Sequence, residues 1–171
     1  MKKSIFQSTL VCIPLALILC IHINCQKQPE DPAPVVDIEA EKSNVQSVLD
    51  QWLQANRDQD IESYMKIFAP DEDIMNLGVS GERWIGWKAL KERTMKSYEA
   101  IDKIDFSVRD RVIKVHGSGT VAWFFLVLDI NFIFQGEAIS VEKVRLTGVL
   151  EKRDENWVVV QSHASVPAPE A

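Results

Sequence analysis

The feature that most restricts what this chain can fold into is a single change of hydrophobic period near residue 101. Before it, apolar side chains recur at helical spacing; after it, they alternate with a period of two up to residue 165. Helices followed by a run of strands is the order of an α+β domain with helices on one face of a sheet.

In the helical part, Asp37 is placed to cap a helix whose first turn carries Glu39 and Glu41, both favourable at the positive end of the helix dipole. Ile38, Val45, Val48, Leu49 and Trp52 form its apolar face, and the pattern ends near Asn56-Arg57-Asp58. Asp60 caps a shorter helix in which Ile61, Tyr64 and Phe68 share a face, stopped by Ala69-Pro70. Residues 73–79 fit a short strand. Gly86 then precedes a third helix carrying Trp87, Leu90, Tyr98 and Ile101 on one stripe.

The alternating part divides into segments 104–115, 120–135, 138–153 and 156–165, with turns at Gly117 and Gly119, at Gly136, and at Asp154-Glu155-Asn156. This predicts an antiparallel meander. Segment 120–135 is long for a strand. A long strand bends, and a bent sheet closing over helices makes a cone with a cavity at its mouth.

All three cysteines, Cys12, Cys20 and Cys25, lie in the first 25 residues. The folded part therefore has no disulfide framework, no thiol nucleophile and no cysteine-ligated zinc. Met1-Lys2-Lys3 followed by an apolar run over 10–23 fits a secretory signal better than a membrane helix, which needs about 20 apolar residues. From Gln26 to Pro34 the chain turns polar and carries Pro29, Pro32 and Pro34, which reads as an extended tether over 26–36. The expected layout is a leader over 1–25, the tether over 26–36, one domain over 37–167 and a tail over 168–171. A hydrophobic leader ending in Cys before a proline-rich tether resembles a bacterial lipoprotein leader, which implies lipidation at Cys25 and a place in the cell envelope. A plain cleaved signal or an uncleaved anchor is the alternative, and export by some route is common to all. A membrane is expected as a partner through the lipid anchor only.

A formal net charge of −6 is the wrong sign for a surface that tracks phosphates, so nucleic acid is not expected as a partner. Metal binding is not expected either. His22 lies in the leader and His116 in a glycine turn, and Asp71-Glu72-Asp73 lacks the spacing of a calcium loop. No phosphate-cradling glycine loop is present, and no cofactor is expected.

Several segments together carry a family resemblance: Asp60-Ile61-Glu62 leading to Phe68-Ala69-Pro70-Asp71, then Gly86-Trp87-Lys88-Ala89-Leu90 and Thr120-Val121-Ala122-Trp123. Arg145-Leu146-Thr147-Gly148-Val149-Leu150 and the run from Trp157 through His163 to Pro167 complete it. The chain resembles the SnoaL-like (polyketide-cyclase-like) branch of the nuclear transport factor 2-like superfamily over nearly all of residues 38–167. The resemblance implies a cone-shaped, curved, mostly antiparallel sheet with three N-terminal helices packed on its concave face. One departure is the last turn, usually Asp-Gly and here Asp154-Glu155-Asn156, where Asn tolerates left-handed angles. The superfamily includes isomerases, cyclases, dehydratases and subunit-association domains, so function must be argued from the site.

Alternation groups Trp123, Phe125, Val127, Asp129 and Asn131 on one face; Val141, Lys143, Arg145, Thr147 and Val149 on another; and Trp157, Val159, Gln161, His163 and Ser165 on a third. The family pattern implies that Arg145, Thr147, His163 and Ser165 look toward the helices. His163 can move a proton near neutral pH. Asp129 sits in the apolar run Leu126-Val127-Leu128-Asp129-Ile130 and must be paired or at an opening. It could act as a general base, resembling the pocket carboxylate of steroid isomerases, or pair structurally with Arg145. Asp129, Arg145 and His163 are thus expected as one polar group inside the cone. Tyr64, Trp84, Trp87 and Trp123, with Arg145, are the candidate ligand-binding residues, each aromatic fitting plain core as well.

Three functions fit. The first is an exported domain that binds a small apolar ligand, or self-associates, without catalysis. The second is an isomerase, cyclase or dehydratase using Asp129 or His163 as proton carrier. The third is a homodimer through the outer sheet face, with Ile130 and Phe132 expected in the contact.

Overall fold

Asp37 opens α1 (Ile38–Arg57) by accepting the Ala40 N–H at 3.0 Å, and Asp60 opens α2 (Ile61–Lys66) by accepting the N–H groups of Glu62 and Ser63. The computed structural model describes residues 36–168; the leader with Cys25 and most of the tether lie outside the described residues. After α2 come β1 (Met75–Leu77), β2 (Arg83–Ile85) and α3 (Trp87–Ala100). Gly86 precedes α3 with φ +89°, and a Cβ there would stand 2.9 Å from the Glu72 carbonyl oxygen, so the position requires glycine. The meander follows as β3 (Ile101–Val115), β4 (Val121–Phe134), β5 (Glu137–Arg153) and β6 (Asn156–Ser165).

The six strands make one curved, unclosed sheet in the order β2-β1-β6-β5-β4-β3. All pairings are antiparallel except β1 with β6. The β5–β6 hairpin turns on Asp154 (φ +47°) and Glu155 (φ +65°), between the paired Arg153 and Asn156. The left-handed residues are therefore these two and not Asn156, whose side-chain amide instead donates to the Asp154 carbonyl at 2.9 Å.

Val45, Leu49 and Leu53 of α1 share one core with Ala122, Phe124, Leu126 and Leu128 of β4, Val144, Leu146 and Leu150 of β5, and Trp157 and Val159 of β6. Truncating a buried leucine in such a core to alanine costs about 2–5 kcal/mol. The concave face is thus the phase of Phe124 and Leu126, and the phase of Trp123, Phe125, Val127 and Asp129 is convex.

Bulges make the alternation change phase within strands. In β3, Arg109 is extra between the pairs Val108–Leu128 and Asp110–Val127. In β5, Glu142 and Lys143 together oppose the single Asp129, because Leu128 pairs with Val144 and Ile130 with Val141. In β6, Val160 is extra between the pairs Gln161–Val149 and Val159–Leu150. Each extra residue exchanges the two faces beyond it and sharpens the bend of the sheet.

Candidate functional site

Between the concave face and the helices lies a half-open cavity of about 220 Å³. Trp52 and Asn56 of α1, Tyr64 of α2, Leu90 of α3 and Trp84 of β2 form its helix-side and rim walls; Phe106, Leu128, Ile130, Val144, Leu146, Ser162 and Ala164 form its sheet wall. A second chamber of about 180 Å³ shares Asn56, Tyr64, Trp84, Leu90 and Ile104 with it and adds Arg93, Thr94 and Tyr98 to its lining. Trp84 stands at the junction, with the Arg93 guanidinium 5.0 Å from its ring centroid. Gly78 makes room for that indole: a Cβ at residue 78 would stand 2.6 Å from the ring. A larger groove of about 800 Å³ runs outside, along the end of α1 and the β5–β6 hairpin, but charged side chains such as Asp58, Lys66 and Arg153 line it. The inner cavity has the aromatic and aliphatic walls a small apolar molecule needs.

Two buried amides touch that cavity. Asn56 is spent inside the protein: its N–H group donates to the Trp52 carbonyl at 2.7 Å and its oxygen accepts the Tyr98 hydroxyl at 3.3 Å. Asn76, only 4% exposed, uses one end alone. Its oxygen accepts the Ser162 hydroxyl at 2.6 Å, and its Nδ2 has no partner, the only such buried side-chain nitrogen or oxygen among the described residues. Leaving a buried donor unpaired costs about 1–3 kcal/mol. Burial raises the pKa of the Tyr64 hydroxyl, so that group stays neutral.

The candidate residues divide between two faces. Tyr64 and Trp84 line the cavity. Trp87 does not: its indole N–H donates to the Met65 carbonyl at 3.3 Å, tying α3 to α2, and Lys91 lies over its ring. Trp123 is 48% exposed on the convex face, where Arg145 is also exposed. His163 is exposed too, pairing in the ladders with Thr147 and Leu77, because the Val160 bulge turns Ser162 and Ala164 inward in place of Gln161 and His163. The Lys143 bulge likewise puts Val141 on the concave face and leaves Arg145 and Thr147 outside.

Asp129 is convex as well, and it contacts neither Arg145 nor His163. Arg109 Nε stands 2.7 and 2.8 Å from its two oxygens, and the Lys143 backbone N–H donates to it at 2.9 Å. The Lys143 N–H and the Arg109 guanidinium hold its pKa below the usual carboxylate range. The expected interior group of Asp129, Arg145 and His163 is not formed. The bulges in β5 and β6 leave Arg145 and His163 outside, and the plain alternation of β4 puts Asp129 there with Trp123.

Sequence reasoning missed Asn76 and Ser162. Asn76 lies in a strand of three residues, too short to display a period, and the Val160 bulge hides the facing of Ser162. Among the described residues no group of three or more His, Cys, Asp or Glu is arranged to hold a metal ion, and no helix is long and apolar enough to cross a membrane.

A curved, unclosed sheet over three helices, with an apolar cavity between them, defines the nuclear transport factor 2-like class of α+β cones. Within it the chain belongs to the SnoaL-like domain family, whose model matches residues 45–169. Similar solved structures include a candidate dehydratase of the NTF2-like family from Streptomyces avermitilis, 14% identical, with TM-score 0.70 over 77% of this chain and 99% of that one. An NTF2-like superfamily protein from Salmonella enterica serovar Typhimurium is 16% identical, with TM-score 0.71 over 78% and 95%. A candidate aromatic ring hydroxylase from Novosphingobium aromaticivorans is 14% identical, with TM-score 0.67 over 77% and 92%. At these identities the likeness is one of fold. No curated protein matches the chain.

Proposed function

We propose that this protein binds a small, largely apolar molecule in the inner cavity without transforming it. The composition of the cavity wall supports the reading: Tyr64 is its one titratable side chain, and burial keeps that hydroxyl protonated. The acid–base alternative calls on Asp129 or His163, and both side chains lie across the sheet from the cavity. Native mass spectrometry of the gently purified protein tests the reading. A small-molecule adduct is expected on the wild type and is lost in Ile130→Trp, which fills the cavity. An adduct of equal occupancy in that variant would place the ligand elsewhere.

A second reading, self-association, rests on the convex face. Trp123, Val112 and Val121 are 48%, 44% and 37% exposed there, and Phe125, Val127 and Val149 are half-buried beside them. The contact is moved from Ile130, which lines the cavity, to Trp123. The leader sequence supports export with lipid attachment at Cys25. Cys25→Ala is expected to abolish metabolic labelling by a fatty acid; continued labelling would shift the site to Cys20 or end the idea.

A further inference from the structure

We propose that the Asn76 side-chain N–H group is the polar anchor of the inner cavity, and that it selects apolar molecules carrying a neutral carbonyl oxygen. The proposal rests on the cavity reading above and adds the chemical class of the ligand.

The backbone fixes where this amide stands. Asn76 is the middle residue of β1, facing Trp84 of β2 on one side and Ser162 of β6 on the other. Strands on both flanks leave its backbone no freedom to turn the side chain away. The Ser162 hydroxyl holds the amide oxygen at 2.6 Å. The other end of the amide, Nδ2, is a donor without an acceptor, on a residue that lines the cavity. A buried donor that no protein group satisfies is the complement of a ligand acceptor.

The rest of the wall narrows the acceptor. No Lys, Arg or His lines the inner cavity, so a carboxylate would be buried there without a counter-charge. A ligand hydroxyl would bring a donor of its own, and with the oxygens of Asn76 and Asn56 already engaged by Ser162 and Tyr98, only the hydroxyl oxygens of Ser162 and Tyr64 are left in the wall to take it. A ketone, ester or tertiary-amide oxygen takes the Nδ2 hydrogen bond and brings no donor of its own. The 220 Å³ volume is below the range of drug-sized sites, which starts at about 300 Å³, and suits a body of one or two rings.

The test is a fluorescence titration of the purified protein with 2-acetylnaphthalene, its isosteric alkene 2-isopropenylnaphthalene, and 2-naphthoate. The ketone is expected to bind about tenfold tighter than the alkene, with the carboxylate weakest. Asn76→Leu should erase the ketone preference while keeping alkene binding. Nitrogen-resolved NMR of the wild type provides a readout that needs no variant: the Asn76 side-chain amide signals move with the ketone and stay with the alkene. Equal binding of ketone and alkene to the wild type, or a ketone preference surviving in Asn76→Leu, would overturn the anchor while leaving the cavity reading intact. Binding of none of the three would overturn the cavity reading itself.

Discussion

The backbone N–H of Lys143 donates to the Asp129 carboxylate at 2.9 Å, at the point where two residues of β5 stand against one of β4. Lys143 has φ +55°, a left-handed conformation that costs a non-glycine residue about 1–2 kcal/mol. From the opposite side Arg109, the extra residue of β3, donates to both oxygens of the same carboxylate. One side chain of the central long strand therefore holds the irregular points of both neighbours, and the sheet bends there.

Replacing Asp129 with Asn should lower the melting temperature at neutral pH and leave binding in the inner cavity unchanged. The pKa of Asp129 is depressed in the folded protein, so the folded state binds fewer protons there than the unfolded chain. Its contribution is complete above about pH 4, the ordinary aspartate value, and is lost as pH falls through the depressed folded value. Thermal melts from pH 7 down to pH 3 should show the gap between wild type and Asp129→Asn closing with acid. A gap that widens would contradict the assignment.

Glu41 binds α1 to the far end of the sheet, accepting the Trp157 indole N–H at 2.7 Å and the Lys152 ammonium at 2.8 Å. Glu41→Leu leaves a buried indole donor unpaired and should cost about 1–3 kcal/mol. Urea unfolding should show a lower midpoint with an unchanged slope; an unchanged midpoint would mean that water satisfies the indole.

Gly78→Ala pushes a methyl group into the Trp84 ring. The expected cost is about 1–3 kcal/mol from overpacking, together with weaker ligand binding as the indole leaves the cavity rim. Stability and ligand titration should fall together. Retained affinity at reduced stability would show that Trp84 is not part of the binding wall.

Trp123→Glu tests self-association on the convex face. Sedimentation should show the wild type associating at micromolar concentration and the variant monomeric, with little change in the melting temperature of the monomer because Trp123 is half-exposed. A monomeric wild type would remove the dimer reading.

Much of the scaffold was legible in the sequence because its signals are local. The caps at Asp37 and Asp60, the stop after α2, the glycine before α3 and the four long strands follow from neighbouring residues alone. The site was not, because parity is cumulative: one bulge at Val160 suffices to exchange His163 for Ala164, and one at Lys143 detaches Arg145 from Val141. Asp129 was correctly read as needing partners, but they came from Arg109 and a backbone N–H, neither of which an alternation pattern can nominate. Strand β2, three residues long in the link between Gly81 and Gly86, gave no periodic signal although it delivers Trp84.

The irregularity at Arg109 bears on how this chain behaves in a crowd. β3 is the long outer strand of an open sheet, a row of hydrogen-bonding groups on which a stray chain could stack and begin an aggregate. Arg109 interrupts that row, and Asp102, Lys103, Asp105, Asp110, Arg111 and Lys114 put charge on either side of the break. The kink that bends the sheet over its cavity thus also spoils the strand as a template for amyloid-like growth.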